Sequence, residues 1–75
     1  MSRAFVLINV ESSSEGALKD LRAISGVIES YTVYGVYDIL AKVQANSLDE
    51  LKDLAIRIRN LSKVRSALTL ILTEK

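Results

Sequence analysis

The residues able to do chemistry in this chain are few, and the stretch Tyr34-Gly35-Val36-Tyr37-Asp38 concentrates them. Gly35 can take a positive backbone dihedral or let another chain approach closely, and Asp38 supplies a carboxylate suited to a ligand's ammonium group. The backbone N–H groups of such a turn could hold the ligand's carboxylate. The competing role for Gly35 is that of a plain turn residue; for Asp38 it is a local turn or capping contact, and for Tyr34 and Tyr37 simple packing. Enzymatic chemistry has little to draw on. Acid–base work near neutral pH usually rests on histidine and thiol nucleophiles on cysteine, and both are absent, which also excludes an imidazole or thiolate metal site. Asp49, Glu50 and Asp53 cluster where a helix begins, and complementing its dipole accounts for them. The run Ser12-Ser13-Ser14 has no base beside it and reads as helix capping.

The elements that must position the turn follow from the apolar pattern. Arg3 to Val10 is apolar on both sides, with Ala4, Val6, Ile8 and Val10 on one and Phe5 and Leu7 on the other, which marks a central strand. Ser12 and Glu15 have the spacing of a capping box, Leu18, Leu21 and Ile24 continue at helical spacing, and Gly26 is expected to end that helix. A second strand is predicted from about Val27 to Tyr34, and Gly35 turns it back into a third as a hairpin. Ser47 and Glu50 repeat the capping box, and Leu48, Leu51, Leu54, Ala55, Ile58 and Leu61 trace one stripe along a second helix. A last strand runs from Val64 to about Thr73. The order is β-α-β-β-α-β in two similar halves.

A length of 75 residues supports one domain (1–75) with one small core, and the hydrophobic fraction of 49% fits a folded chain. Without cysteine or histidine, neither disulfides nor such metal sites can reinforce that core, so oligomerisation is the remaining aid. Ten basic residues against nine acidic ones give a net charge of +1, which argues against general attraction to nucleic acid or an anionic membrane. Lys52, Arg57, Arg59, Lys63 and Arg65 read as a solvated helix face and its flank. No apolar run reaches the length of a membrane span, and the chain leads straight from Met1-Ser2-Arg3 into strand-like sequence, so a cytoplasmic protein is expected.

Right-handed crossovers would place both helices on one face of a four-stranded antiparallel sheet of order 4-1-3-2, the α+β, ferredoxin-like arrangement. The other face is left bare. Strand parity predicts Val6, Ile8, Ile39, Ala41, Val43, Leu68, Leu70 and Leu72 toward the helices and Phe5, Leu7, Leu40 and Ile71 away from them, with Thr69 also on the bare face. An apolar patch on an open sheet needs a cover, and a second copy packed sheet to sheet, as a sandwich or barrel-like dimer, is the simplest.

The hairpin from Tyr31 to Leu40 resembles the signature turn of the effector-binding (RAM) domain of Lrp/AsnC transcription regulators, where a Gly-x-Tyr-Asp-like turn precedes an apolar strand. The final strand Val64 to Leu72 resembles that family's closing pattern of two threonines two apart before an apolar run; Thr69 matches the second, and Ala67 replaces the first. The resemblance spans essentially the whole chain. It implies ligand contacts from Gly35, Val36, Tyr37, Asp38 and Thr69, no cofactor and no metal. It also implies a homodimer that assembles further, an amino acid as the small-molecule partner, and full-length Lrp/AsnC regulators as possible protein partners. Full-length members carry a helix-turn-helix domain ahead of this one, so a stand-alone form without direct DNA binding is expected.

RNA-binding RRM domains share the element order but stack bases on strand aromatics, and the third strand, Tyr37 to Val43, lacks their basic-glycine-aromatic run. Ferredoxins and metal carriers of this topology need cysteines. A purely structural oligomerisation module and another small-ligand module of the ACT type are the alternatives.

Overall fold

Alternating small and branched apolar side chains make Ser2–Val10 the strand β1, and every second residue from Ala4 to Val10 is buried. The computed structural model describes residues 1–73. After β1 come α1 (Ser14–Arg22), β2 (Val27–Thr32), β3 (Ile39–Ala45), α2 (Leu48–Arg59) and β4 (Val64–Leu72). The four strands form one sheet in the order β2-β3-β1-β4, with all neighbours antiparallel. This is the predicted topology.

The core lies between the sheet and the two helices. Ala4, Val6 and Ile8 of β1, Ile39, Ala41 and Val43 of β3, Ala17 and Leu21 of α1, and Leu51 and Ile58 of α2 are wholly buried. These strand residues face the helices as parity predicts, while Phe5, Leu7 and Leu40 alternate to the open face and are half-buried. Leu48, predicted on the buried stripe of α2, is 45% exposed because it stands at the first turn, short of the sheet.

Strand β4 reverses the prediction. Its register sets Leu68 opposite Leu7, Leu70 opposite Phe5 and Leu72 opposite Arg3, so these leucines lie on the open face. Thr69 pairs with Val6 and Ile71 with Ala4, which places both on the helix side. Residues directly opposed in an antiparallel pair share a face, so the central strand fixes the orientation. Apolar residues on both faces of β4 gave parity nothing to discriminate.

The helix ends also refine the prediction. The N-cap of α1 is Ser13, not Ser12: its hydroxyl accepts from the Glu15 N–H at 3.2 Å. The Glu11 N–H bond to the Lys63 carbonyl, at 3.2 Å, holds the exit of β1 and delays the helix by one residue. At α2 the predicted N-cap holds, since Ser47 accepts from the Glu50 N–H, while the Glu50 carboxylate reaches back one residue further than in a standard capping box, to the Asn46 N–H at 3.2 Å. Ser13→Ala and Ser47→Ala are each expected to cost about 0.5–2 kcal/mol of stability, and Ser12→Ala less than about 0.5. Urea unfolding midpoints check the ranking; equal losses at Ser12 and Ser13 would contradict the assigned cap.

Helix α1 ends at Arg22, before the predicted stop at Gly26. Gly26 serves the next turn instead, with a φ of 101°, where a Cβ would lie 2.8 Å from the Leu54 side chain and 3.0 Å from the Gln44 carbonyl. The last turn of α1 is tied to the edge strand β2: the Arg22 guanidinium donates to the Ser30 hydroxyl at 3.1 Å and to its carbonyl at 3.2 Å. That contact satisfies the buried Ser30 and puts a cation at the helix C-terminus, where the dipole favours it.

Candidate functional site

The loop between β2 and β3 is a projecting hairpin end. Its neck is closed by the Val33 N–H donating to the Asp38 carbonyl at 3.0 Å, which leaves Tyr34 to Tyr37 as the tip. Gly35 has a φ of 134° with open space around the position a Cβ would take, so backbone conformation, not crowding, calls for glycine. Tyr34 and Val36 stand in solvent, Val36 at 83% exposure. A short loop presenting both a fully exposed tyrosine and valine is apolar surface with nothing over it in one protomer.

Asp38 is the best-anchored residue of the loop. Beyond the last β1–β3 pair, Ile8 with Ile39, its N–H donates to the Ile8 carbonyl at 2.9 Å. One carboxylate oxygen, Oδ2, accepts from the Val10 N–H at 2.9 Å. Sequence reasoning had no signal for this bond, because its partner is a backbone group 28 residues away, presented where β1 stops following the ladder. Oδ1 makes no hydrogen bond to the protein among the described residues.

The five residues predicted to bind ligand do not converge within one protomer. Gly35, Val36, Tyr37 and Asp38 share the loop, whereas Thr69 lies across β1 from Ala41, opposite Val6 and on the helix side. The correction at Thr69 follows from the register of β4: it faces the helix layer, away from the open face on which it was expected.

The open sheet face leads up to this loop. Leu7 lies between Leu40 and Leu68, and Phe5 between Lys42 and Leu70, with Leu72 and Tyr31 extending the apolar area. Leu68, Leu70 and Leu72 are each between 43% and 47% exposed, which is high for leucines in a strand. Glu29, Lys42 and Arg3 fringe the patch. The Glu29 carboxylate, on the same face as Tyr31, raises the Tyr31 phenol above its ordinary value, chiefly through its negative charge.

A concavity of about 550 Å3 lies at the opposite end of the β2–β3 hairpin, between Gly26, Gln44, Asn46 and Asp53. Its charged side chains, Glu50, Asp53 and Arg57, are exposed and spread along a solvated helix face. It is remote from the loop, where the apolar tip and the anchored carboxylate coincide. Among the described residues no three carboxylates converge as a metal site, and no helix is long and apolar enough to cross a membrane.

Comparison with known proteins agrees with the fold. Homocitrate synthase of Saccharolobus islandicus contains a segment 38% identical over 73 residues; the match covers 92% of this chain and 16% of the enzyme. The chain thus spans only a minor part of the curated relatives it matches. A solved Thermus thermophilus protein is 30% identical with a TM-score of 0.91, covering 100% of this chain and 96% of that one. The leucine response regulatory protein of Mycobacterium tuberculosis is also 30% identical, with a TM-score of 0.82, covering 99% of this chain and 51% of the regulator. The Lrp/AsnC ligand binding domain matches residues 3–75, and the chain belongs to that family.

Proposed function

We propose that this chain is an effector-binding and oligomerisation module that senses an amino acid and has no catalytic activity of its own. Two copies pack through their open sheet faces, and the effector sits against the Tyr34–Asp38 loop where copies meet. The observation that carries this reading is the set of exposed apolar side chains on the open face and at the tip, which stay solvated unless another chain covers them. Gly35, Val36, Tyr37 and Asp38 supply the protomer's share of the site, with the loop N–H groups for a carboxylate and the free Asp38 oxygen for an ammonium. Thr69 is a contributor only from the helix side of the sheet.

An amino acid as effector is supported by the family's ligand-binding character and by a leucine-response regulator among the relatives. The same module makes up half of that regulator, a small part of a homocitrate synthase and nearly all of the Thermus chain. A unit found beside such different neighbours suits sensing, with DNA binding or catalysis supplied by whatever it joins. Assembly with full-length Lrp/AsnC regulators in the cytoplasm would let effector occupancy influence transcription. A purely structural oligomerisation module is the second reading, and the use of Asp38 within the fold favours it.

A thermal-shift screen against the proteinogenic amino acids, with sedimentation velocity on any hit and on the free protein, separates the two. An effector at a hundred times its dissociation constant adds about 2.7 kcal/mol of stability. A selective upward shift is the expected outcome; a stable oligomer that no amino acid shifts would leave the structural reading in its place.

A further inference from the structure

We infer that Asp38 is a positioning residue, whose carboxylate latches the effector loop to the exit of β1. This deepens the proposed function by assigning how the site is held in shape, and it rests on that reading only for the purpose of the loop. Val10 is 6% exposed and lies just past the shift in register between β1 and β4 at Asn9/Val10. The β1–β3 ladder has already ended at Ile8 and Ile39. The Val10 N–H therefore turns to a side chain, and Asp38 Oδ2 accepts it at 2.9 Å. A buried N–H without that acceptor would be left unsatisfied.

The same residue ties down both other ends of the loop. Its N–H holds the Ile8 carbonyl and its carbonyl closes the neck with Val33. Three bonds thus converge on one position, and only the bond to Val10 depends on the side chain. Because Val10 leads directly into the turn that starts α1, the latch joins the loop to the β1–α1 junction as well as to the sheet. A ligand that draws on the free oxygen of this carboxylate is felt at Val10 through the other oxygen.

Amide hydrogen exchange on the unliganded protein tests the latch without assuming an effector. In Asp38→Ala the Val10 amide is expected to exchange about tenfold faster or more, with a similar gain at Val33 and at residue 38, the loop amides that are hydrogen-bonded, while Val6 in the middle of β1 is unchanged. Asp38→Asn keeps an oxygen acceptor in the same place and is expected to restore protection at all of these amides. Unchanged Val10 exchange in the alanine variant, or faster Val10 exchange with an unaltered loop, would overturn the latch. Should the alanine variant not fold, the asparagine variant decides alone: retained Val10 protection supports the latch and lost protection refutes it. The outcome is independent of the amino-acid screen, since an Asp38→Asn protein with intact protection but no ligand response would separate ammonium recognition from loop positioning.

Discussion

Leu51→Ala is expected to lower the unfolding free energy by about 2–5 kcal/mol, the range for truncating a fully buried leucine whose cavity only partly collapses. Leu51 is wholly buried on the face of α2 that meets the sheet, packed in the same core cluster as Val6, Ile8 and Ile58. A domain of this size has a total stability of roughly 4–11 kcal/mol, so the substitution removes a large share of it. Leu48→Ala on the same helix is the control: Leu48 is 45% exposed, and its loss should cost less than about 1 kcal/mol. Urea titrations of both variants at one protein concentration give the comparison. Equal losses would mean that α2 does not present the face assigned to it.

Leu7→Lys is expected to abolish self-association while leaving the protomer folded. Leu7 occupies the middle of the open face, between Leu40 and Leu68, and points away from the core. Around a two-fold axis the substitution acts twice, removing two apolar contacts of about 1.5–3 kcal/mol each and burying two ammonium groups without partners. Even a loss of about 3 kcal/mol weakens association more than a hundredfold. Sedimentation velocity over a range of concentrations should show a monomer where a dimer is expected of the parent protein, with far-UV circular dichroism unchanged. A dimer that survives Leu7→Lys would place the interface elsewhere, at the loop tip or along a sheet edge.

The architecture was legible in the sequence because each half carries its own punctuation. Two apolar strands flank a capped amphipathic helix, Gly35 divides the halves, and the crossover rule then leaves few topologies. The orientation of β1 and β3 was legible too, since the alternation of Ala4, Val6 and Ile8 with Arg3, Phe5 and Leu7 puts a charge on one side only. Strand β4 had no such asymmetry near its middle. Leu68 and Leu70 alternate with Ala67, Thr69 and Ile71, and only pairing with β1 shows that the bulkier leucines face outward. The start of α1 was ambiguous for a similar reason: three successive serines can each cap a helix, and the bond from Glu11 to Lys63, distant in sequence, selects Ser13. At the candidate site, residue types identified the loop, but not the Val10 partner of Asp38, because a backbone N–H left beyond the end of the β1–β3 ladder leaves no mark in a residue pattern.

The position of β1 between β3 and β4 bears on how the chain comes off the ribosome. The central strand is made first, yet its β4 neighbour is made after every other strand, so the sheet cannot close until nearly all of the described chain has emerged. Pairings such as Ala4 with Ile71 are among the most distant the chain can form, and distant pairings are slow to find. β4 also brings Leu68, Leu70 and Leu72, three of the seven apolar side chains of the open face that another copy would recognise. A nascent protomer therefore lacks its complete sticky surface until its own fold is ready to close, which limits premature pairing between neighbouring chains on one messenger.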